Sequence, residues 1–242
     1  MLTPLIHRAV AGLLLAAIAF NGQAGSIELS PVRVSLSNKA KVAVLTVRNT
    51  GIEESVMQVT LNKWTLDGQG YAYAQSQELV VTPVTFRLAA GAQQIVRVGL
   101  RLGAPLRTEA AYRLLVEEVP PPPSADVTQM RMVIRHDLPV FVAPITPAKA
   151  ALDIAMDCAA DGSRLRMTNM GNVHAQVLKV TLTDASTDPV LASWATSDYL
   201  LPQAQKSWLL TQVAPKSVGK SFLVTALTDQ GSFIGNVKTQ CP

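Results

Sequence analysis

YRLLVEEVPPPPSADVTQMRMVIRHDLPVFVAP, residues 112–144, is the stretch of the chain that decides the fold. A strand-like run ends in four consecutive prolines, and after a short polar break a second strand-like run begins. In this second run Met130, Met132 and Ile134 alternate with other side chains. Because side chains two apart on a strand share a face, these three form one row of large, flexible apolar groups. Such a row either completes the protein's own core or fills a partner that lacks a strand.

The first 24 residues have the pattern of a secretory signal peptide. His7 and Arg8 precede a continuous apolar run at residues 9–20, and Ala24 follows as the small residue after which we expect cleavage. A membrane anchor is the alternative, but this run falls short of the roughly 20 apolar residues that span a bilayer. We therefore expect an exported protein with residues 1–24 removed and no membrane insertion after cleavage.

The charge of the chain gives little support to a nucleic-acid partner. Cleavage removes only Arg8, which leaves 20 basic and 17 acidic residues and a net charge of +3. This excess is small, and the basic residues form no clustered stripe of the kind that follows a phosphate backbone. We expect no nucleic-acid binding.

The two cysteines predict a disulfide. Cys158 and Cys241 both lie in the second half of the chain, and in an oxidising compartment such a pair is typical of a structural bond. Their bond would close a loop of 82 intervening residues, which the chain-entropy model values at roughly 4–5 kcal/mol. A metal site is a poor alternative, because two sulfurs need further ligands and only His136 and His174 remain after cleavage.

Short strand-like segments extend along the whole chain after residue 24. They are rich in Val, Leu and Ile, and turn-forming pairs such as Asp67-Gly68 separate them. No long window keeps a helical period, and this spacing is typical of β-sandwiches. Two prolines interrupt the pattern at residues 143–148. We predict an all-β protein with one sandwich at residues 25–143 and a smaller one at residues 149–242, joined by a connection too short for independent movement.

Catalytic and cofactor motifs are absent from the sequence. There is no glycine-rich phosphate loop, no HExxH, no GxSxG and no EF-hand pattern. Two histidines after residue 24 leave little for general-base chemistry, and an aromatic content of 5% gives little material for a platform that stacks sugars or bases. We expect a protein without cofactor or metal that is not an enzyme and binds a partner through backbone, apolar rows and a few charges.

Four stretches resemble the periplasmic chaperones of chaperone–usher pilus assembly. Residues 27–36, IELSPVRVSL, are similar to the first strand of that family, and residues 81–97, VTPVTFRLAAGAQQIVR, resemble a signature that links two later strands. Residues 108–121, TEAAYRLLVEEVPP, resemble a run that ends in two prolines, and residues 169–174, NMGNVH, resemble a turn of the second domain. The four stretches occur in the family's order and include both halves of the chain.

The resemblance implies two immunoglobulin-like β-sandwich domains arranged in an L with a cleft between them. In such chaperones a pilus subunit lies in the cleft, and basic residues hold its C-terminal carboxylate. The G strand of the first domain completes the subunit's unfinished sandwich, which is donor-strand complementation. The resemblance therefore predicts a periplasmic chaperone that delivers pilus or fimbrial subunits to an outer-membrane usher without ATP.

The resemblance also assigns site residues by position. Met130, Met132 and Ile134 match the alternating residues of the donor strand, and unbranched methionine adapts to differently shaped pockets. Arg33 matches the family's cleft arginine, which can hold a carboxylate through two parallel hydrogen bonds.

The second basic anchor departs from the well-studied branch of the family, because Pro139 stands where those chaperones have a lysine. Proline has neither charge nor N–H, so another residue must take this role. Arg113 is our first candidate, since a lone basic residue in an apolar strand needs a partner or a wet cleft. Arg135, His136 and Arg97 are further candidates, and a structural ion pair is the alternative role for Arg97. This departure and the short loop before the donor row resemble the divergent, archaic branch.

Two other interpretations stay open at this point. A pilus subunit or adhesin of immunoglobulin-like fold would carry a detachable N-terminal extension and lack one strand, whereas here a strand-like segment begins almost directly after residue 25. The other is a periplasmic enzyme or glycan-binding module on a sandwich scaffold. Hydrolysis of wall or polysaccharide material that is abolished by substituting one acidic residue would support it. Because an unliganded donor row is an exposed apolar strip, the free protein could also self-associate.

Overall fold

The computed structural model describes residues 27–67, 70–101, 106–120, 133–159, 162–186, 189–211 and 220–240. The predicted signal peptide (residues 1–24), Met130, Met132 and Cys241 lie outside these ranges. All regular secondary structure within them is β-strand. The described ranges contain no helix that is long and apolar enough to cross a membrane.

The described strands divide into ten before residue 143 and seven after residue 151. The first ten are β1 (Ile27–Ser30), β2 (Val34–Leu36), β3 (Val42–Asn49), β4 (Ser55–Asp67), β5 (Gly70–Gln75), β6 (Leu79–Thr82), β7 (Thr85–Leu88), β8 (Gln93–Leu100), β9 (Ala110–Val119) and β10 (Arg135–Val142). The others are β11 (Leu152–Ala159), β12 (Gly162–Asn169), β13 (Ala175–Asp184), β14 (Val190–Leu200), β15 (Gln205–Leu210), β16 (Ser221–Thr228) and β17 (Gly231–Gln240).

Two sheets enclose the core of the first half. One has the order β1-β3-β8-β6, and the other has the order β2-β10-β9-β4-β5, with β7 also paired to β4. Alternation along the strands explains this packing. Leu45 and Val47 of β3 and Val96 and Val98 of β8 are fully buried, whereas their neighbours along each strand are more exposed. These four side chains pack against the inward residues of the second sheet in one apolar core.

The strand-like segment at residues 27–36 is divided between the two sheets. β1 pairs with β3 in one sheet, whereas β2 pairs in parallel with β10 in the other. The chain changes sheet at residues 31–33, so Arg33 lies at the crossing and immediately precedes β2. The sequence suggests one strand here, because an alternating apolar pattern carries no information about which strand will be its partner.

β10 lies between β2 and β9 and sets the positions of the candidate anchors. Val140 is opposite Val34 in the parallel pair, and Pro139 is opposite Arg113 in the antiparallel pair. Leu138 and Val140 belong to the core, so Pro139 points to the other face of the sheet. Arg113 points to that same outer face, because directly opposed residues lie on one side.

The second half is a sheet folded around its own core. Its strands follow the order β14-β13-β16-β17-β11-β12-β15, and β17 joins β11 through a short parallel pairing. The fully buried side chains of Leu165, Val180 and Val224 come from both ends of this order and pack in one cluster. The two groups of strands therefore face each other as the layers of a sandwich.

The parallel pairing of β11 with β17 reaches the residues that precede the two cysteines. Asp157 is opposite Gln240, and in the sequence Cys158 follows Asp157 and Cys241 follows Gln240. Neighbouring strands lie about 4.8 Å apart, which is within the Cα separation that a disulfide spans. Cys241 lies outside the described residues, so the disulfide stays a prediction, and this register supports it.

One turn is built twice, once in each half of the chain. Asn49 and Asn169 are fully buried, and the N–H of the glycine two residues later donates to each asparagine Oδ1 at 2.9 Å. Each Nδ2 donates to two backbone carbonyls at 2.6–2.9 Å. One belongs to the residue four positions later in the sequence, and the other belongs to the last residue of β7 for Asn49 and of β14 for Asn169. A buried amide whose polar groups are all satisfied holds such a turn in one conformation.

The connection between the halves is hydrogen-bonded to the second of these turns. The N–H of Asn172 donates to the Lys149 carbonyl at 2.9 Å, and its Oδ1 accepts from the Lys149 N–H at 2.8 Å. Its Nδ2 donates to Thr146 Oγ1 at 2.9 Å. Gly171 allows this close approach, because a Cβ there would overlap the Lys149 carbonyl and lie 2.8 Å from the Ala150 Cα.

We expect Gly171→Ala to lower the free energy of unfolding by about 1–3 kcal/mol, because the added methyl group meets backbone that cannot turn away. Gly99→Ala is the matched control, since its nearest neighbour is the tip of the Val80 side chain at 3.3 Å. Urea unfolding of both variants measures the difference. Equal midpoints for the two variants would contradict a tight connection.

Candidate functional site

The two halves meet in a cluster of buried aromatic side chains. Trp64 and Phe141 belong to the first half, and Tyr199 belongs to the second. The ring centroid of Tyr199 is 5.2 Å from that of Trp64, edge to face, and 5.9 Å from that of Phe141. Such contacts bind the halves through apolar area and ring geometry. The other buried members of the cluster are Ala111, Leu201 and Ala204.

The β4–β5 hairpin extends from the first half to this junction. Its Leu66 packs against both the aromatic cluster and the core of the second half. The hydroxyl of Tyr71 accepts a hydrogen bond from the backbone N–H of Tyr199 at 3.1 Å, and Lys206 Nζ lies 5.2 Å from the Tyr71 ring centroid. The hairpin therefore holds the backbone of Tyr199 from the side of the first half.

Arg33 reaches from the sheet crossing into the second half and contacts three of its side chains. Nη1 donates to Asp229 Oδ2 at 2.9 Å, and Nη2 donates to Gln176 Oε1 at 2.8 Å and to Tyr199 Oη at 3.3 Å. Its guanidinium carbon is 5.8 Å from the Phe141 ring centroid and 5.9 Å from that of Tyr199. The side chain is 34% exposed. Both hydrogens of Nη2 are thus engaged at the junction.

Arg113 also lies against Tyr199. Its guanidinium carbon is 3.8 Å from the Trp64 ring centroid and 5.5 Å from that of Tyr199. Nη1 is 3.6 Å from Asp137 Oδ1, which is an ion-pair distance, and Nε is buried without a partner among the described residues. The side chain is only 13% exposed. The described residues therefore leave most of the hydrogen-bond donors of Arg113 unused.

The structure brings Arg33 and Arg113 to one aromatic ring and leaves Arg135 apart from them. Arg135 is 58% exposed, and its Nε lies 3.1 Å from the carboxylate of Glu117, the residue opposite it in β9. It is four residues from Pro139 along β10, a distance of about 13 Å at 3.3 Å per residue. His136 alternates to the opposite face of β10 from Pro139.

A second charged group crosses the junction beside Arg33. The imidazole of His174 is 7% exposed and stacks on Phe141, with ring centroids 3.7 Å apart. Its Nδ1 lies 2.7 Å from Glu109 Oε1, and its Nε2 lies 3.5 Å from Asp229 Oδ2, an ion-pair distance. In a neutral imidazole one ring nitrogen carries no proton, so its lone pair would face a carboxylate oxygen, which is repulsive. The geometry therefore favours the imidazolium, in which both nitrogens carry a proton.

The pKa values of this group agree with the geometry. Burial by itself lowers the pKa of His174, but the contacts with Asp229 and Glu109 outweigh it and hold this pKa above its ordinary value of 6.5. Burial likewise raises the pKa of the Asp229 carboxyl, yet contacts with His174, the Gln176 N–H and Arg33 lower it to about 2. Two cations and two carboxylates then balance each other across the junction.

The sequence did not indicate Glu109, His174, Asp229 or Tyr199 as site residues. Glu109 and His174 lie inside stretches that carry the family resemblance, TEAAYRLLVEEVPP and NMGNVH. A lone acid before an apolar strand and a histidine after a turn were signals that could have found them. Tyr199 carries no such signal, because a tyrosine near the end of a strand is common in any sandwich core.

Ile134 is the member of the predicted donor row that the structure describes. It immediately precedes β10, and its carbonyl accepts a hydrogen bond from the Glu118 N–H at 3.2 Å. The pairing with β9 therefore continues one residue beyond the strand. Met130 and Met132 lie outside the described residues, so their role stays a prediction.

Residues 26–148 match the family model for the N-terminal domain of PapD, a pili and flagellar-assembly chaperone. This match includes Arg33, Glu109 and Arg113, and it extends over more than half of the chain. The chain belongs to this family of pilus chaperones. The resemblance found in the sequence is thereby confirmed, and a role in pilus assembly replaces the interpretations as a subunit or a glycan-binding module. No curated protein sequence matches this chaperone.

Solved structures with the same fold include chaperones of several pilus systems. One comes from the complex of the chaperone CsuC with the tip adhesion subunit CsuE, from archaic Csu pili of Acinetobacter baumannii, at 17% identity and a TM-score of 0.67. The match spans 89% of this chaperone and 100% of that chain. The Salmonella enterica complex of SafA pilin with SafB chaperone matches at 18% identity, with 88% and 97% coverage and a TM-score of 0.59.

The Escherichia coli chaperone DraB is a further structural relative, at 21% identity and a TM-score of 0.56, with 88% of this chaperone and 97% of that chain covered. At these identities the similarity concerns the fold. It confirms the predicted all-β class with two immunoglobulin-like domains.

We expect the free energy of unfolding to decrease as the pH rises through the folded-state pKa of His174. This pKa lies above the ordinary value of 6.5, so the stabilisation is fully present below pH 6.5 and is lost above the raised value. The pKa of Asp229 in the folded state is about 2, so its carboxylate adds to the free energy of unfolding above its ordinary pKa of 3.8. This contribution is lost as the pH falls towards 2. Urea unfolding in a series of buffers that starts below pH 6.5 and rises from there measures the first decline.

His174→Gln removes the titrating ring and should flatten this decline of stability above pH 6.5. His136→Gln is the control, because it removes a histidine that takes no part in the junction. If the decline keeps its slope in His174→Gln, groups other than His174 cause it.

Proposed function

We propose that this chaperone binds a pilus or fimbrial subunit in the cleft between its halves. It completes the subunit's fold with residues 130–134 and delivers it to an outer-membrane usher in the periplasm. The observation that carries the proposal is the pair of arginines, Arg33 and Arg113, within 6 Å of the Tyr199 ring centroid. Neither catalysis nor ATP takes part, because binding to the unfinished subunit is itself the activity.

Arg113 makes the main contact with the C-terminal carboxylate of the subunit. Its partner across the sheet is Pro139, the position of the family's lysine, and both side chains point to the same face. The charge has therefore moved one strand sideways, by about 4.8 Å, and stays in the site. Since its only ionic neighbour among the described residues is Asp137 at 3.6 Å, the guanidinium can offer two parallel hydrogen bonds.

Arg33 makes a second, weaker contact with the subunit carboxylate. It does not form the two parallel hydrogen bonds that the family resemblance predicts. Its Nη1 and Nη2 already donate to Asp229, Gln176 and Tyr199. The donors that remain, one on Nη1 and one on Nε, do not lie on one edge of the guanidinium. Arg33 can therefore offer the carboxylate its charge and a single hydrogen bond at a time.

The donor row continues the inward face of β10. Leu138 and Val140 fill the chaperone's own core, and residues two apart share that face. Ile134, Met132 and Met130 keep the same parity further towards the N-terminus. A subunit that lacks a strand would thus receive an apolar row with free backbone groups on one edge, which removes its aggregation-prone surface.

We expect Arg113→Ala to reduce the recovery of subunits at least about tenfold, because a charge-assisted contact contributes roughly 1.5–3 kcal/mol. Arg33→Ala should reduce it less and should also lower the melting temperature, since Arg33 joins the halves. Arg87→Ala is the control, because Arg87 is 75% exposed and pairs with Glu54. Periplasmic co-expression of the tagged chaperone with candidate subunits, followed by mass spectrometry of one-to-one complexes, measures recovery.

Two outcomes of this experiment have different meanings. Full recovery with folded Arg113→Ala would exclude Arg113 as the anchor and leave the chaperone role intact. A wild-type protein that captures no subunit, although subunits are expressed, would contradict the proposed partner.

We expect Met132→Glu to abolish subunit capture without changing the melting temperature, because a carboxylate cannot enter a dry groove unpaired. Val133→Glu is the matched control, since Val133 lies on the other face and is 43% exposed. The same co-expression assay compares the two variants. Equal capture by both would exclude Met130, Met132 and Ile134 as the donor row.

A further inference from the structure

Tyr199 is held in a fixed position at the junction. It lies near the end of β14 and is 9% exposed. Trp64, Phe141 and His174 surround its ring at centroid distances of 5.2–5.9 Å. Its backbone N–H donates to the Tyr71 hydroxyl at 3.1 Å. The phenol group therefore has little freedom to turn away from its neighbours.

The hydroxyl of Tyr199 has an unused proton. Oη accepts a hydrogen bond from Arg33 Nη2 at 3.3 Å, and no described residue accepts one from Oη. A phenol both donates and accepts, so its proton still requires an acceptor. The two guanidinium groups beside the ring, those of Arg33 and Arg113, are donors only. The acceptor must therefore come from outside the described chain.

An acceptor at this place would be an anion. Asp229 balances the charge of Arg33, but Arg113 has only Asp137, at 3.6 Å, as an ionic neighbour among the described residues. Arg113 therefore leaves positive charge beside the ring in a mostly buried setting, where charge contacts are stronger than in water. A carboxylate has lone pairs for three donors at once, whereas a carboxamide brings an NH₂ group that would face other donors. The hydrogen-bond pattern of the site thus selects a carboxylate.

We propose that the Tyr199 hydroxyl is a third contact for the subunit's C-terminal carboxylate and helps to select a free carboxylate over an amide. This inference rests on the proposed function. Arg33 and Arg113 belong to the first half and Tyr199 to the second, so the bound carboxylate connects both halves. Tyr199 thereby makes the second half part of the binding site.

The probe is a pair of small molecules, N-acetyl-Ala-Ala with a free carboxylate and its C-terminal amide. NMR titration of the mature chaperone follows the side-chain Nε–H signals of its arginines. We expect the wild-type protein to bind the acid more tightly than the amide. Tyr199→Phe keeps the ring and should weaken acid binding about five- to twentyfold while leaving amide binding unchanged.

Tyr71→Phe is the matched control. It removes a hydroxyl from the same cluster, one that contacts the backbone of Tyr199 and none of the arginines. Because Trp64, Phe141 and His174 still surround the Tyr199 ring, the acid binding of Tyr71→Phe should stay within about twofold of the wild type. A loss as large as that of Tyr199→Phe would mean that the effect comes from positioning, and it would overturn the assignment of the hydroxyl.

A second variant covers the case in which Tyr199→Phe disturbs the fold. 3-Fluorotyrosine placed at position 199 by amber suppression keeps the ring and the hydroxyl and makes the hydroxyl a stronger donor. Acid binding should be equal or tighter, and a clear loss would contradict the proposal.

The outcomes separate this proposal from the function on which it rests. If Tyr199→Phe binds the acid as tightly as the wild type does, the third contact is wrong and the arginine anchor stands. If the wild-type protein does not distinguish acid from amide, the carboxylate anchor itself fails, and the role of Tyr199 fails with it.

Discussion

The register of β10 is the constraint on which the candidate site depends. β10 pairs in parallel with β2 and antiparallel with β9, and this places Pro139 opposite Arg113. Arg33 immediately precedes β2, so the two arginines flank β10 from either side. A slip of one residue would turn every side chain of β10 to the other face. Pro139 would enter the core, Leu138 would face the cleft, and the donor row would lose its direction.

Apolar and charged contacts have different effects at the junction. The aromatic cluster around Trp64 supplies buried area, which stabilises the contact without specifying an orientation closely. Arg33 with Asp229 and Glu109 with His174 each join residues of opposite halves, and these pairs are directional. Buried ion pairs add little net stability over apolar packing, but losing one partner is costly because the other charge stays buried. These two ion pairs are therefore directional contacts between the halves.

The same side chains serve the junction and the ligand. Arg33 gives most of its donors to the second half, which leaves Arg113 as the arginine with open donors. Tyr199 accepts a hydrogen bond from Arg33, and no described residue accepts the proton of its hydroxyl. In the proposed binding mode a carboxylate contacts both halves, which would link subunit binding thermodynamically to the cohesion of the junction. Subunit binding by variants of these residues should therefore be compared under conditions in which each variant is fully folded.

The sequence by itself determined the all-β class, the family and three candidate arginines, Arg33, Arg113 and Arg135, because alternation, turn residues and motif order are local properties of the chain. The division of residues 27–36 between two sheets was decided only by pairing. So was the meeting of Arg33 with Arg113, which are 80 residues apart. Glu109, His174 and Tyr199 became site residues only through contacts between the halves, and no local pattern contains those distances. Tertiary structure decided which arginine is engaged, because hydrogen-bond partners from a second sandwich are invisible in a strand's own sequence.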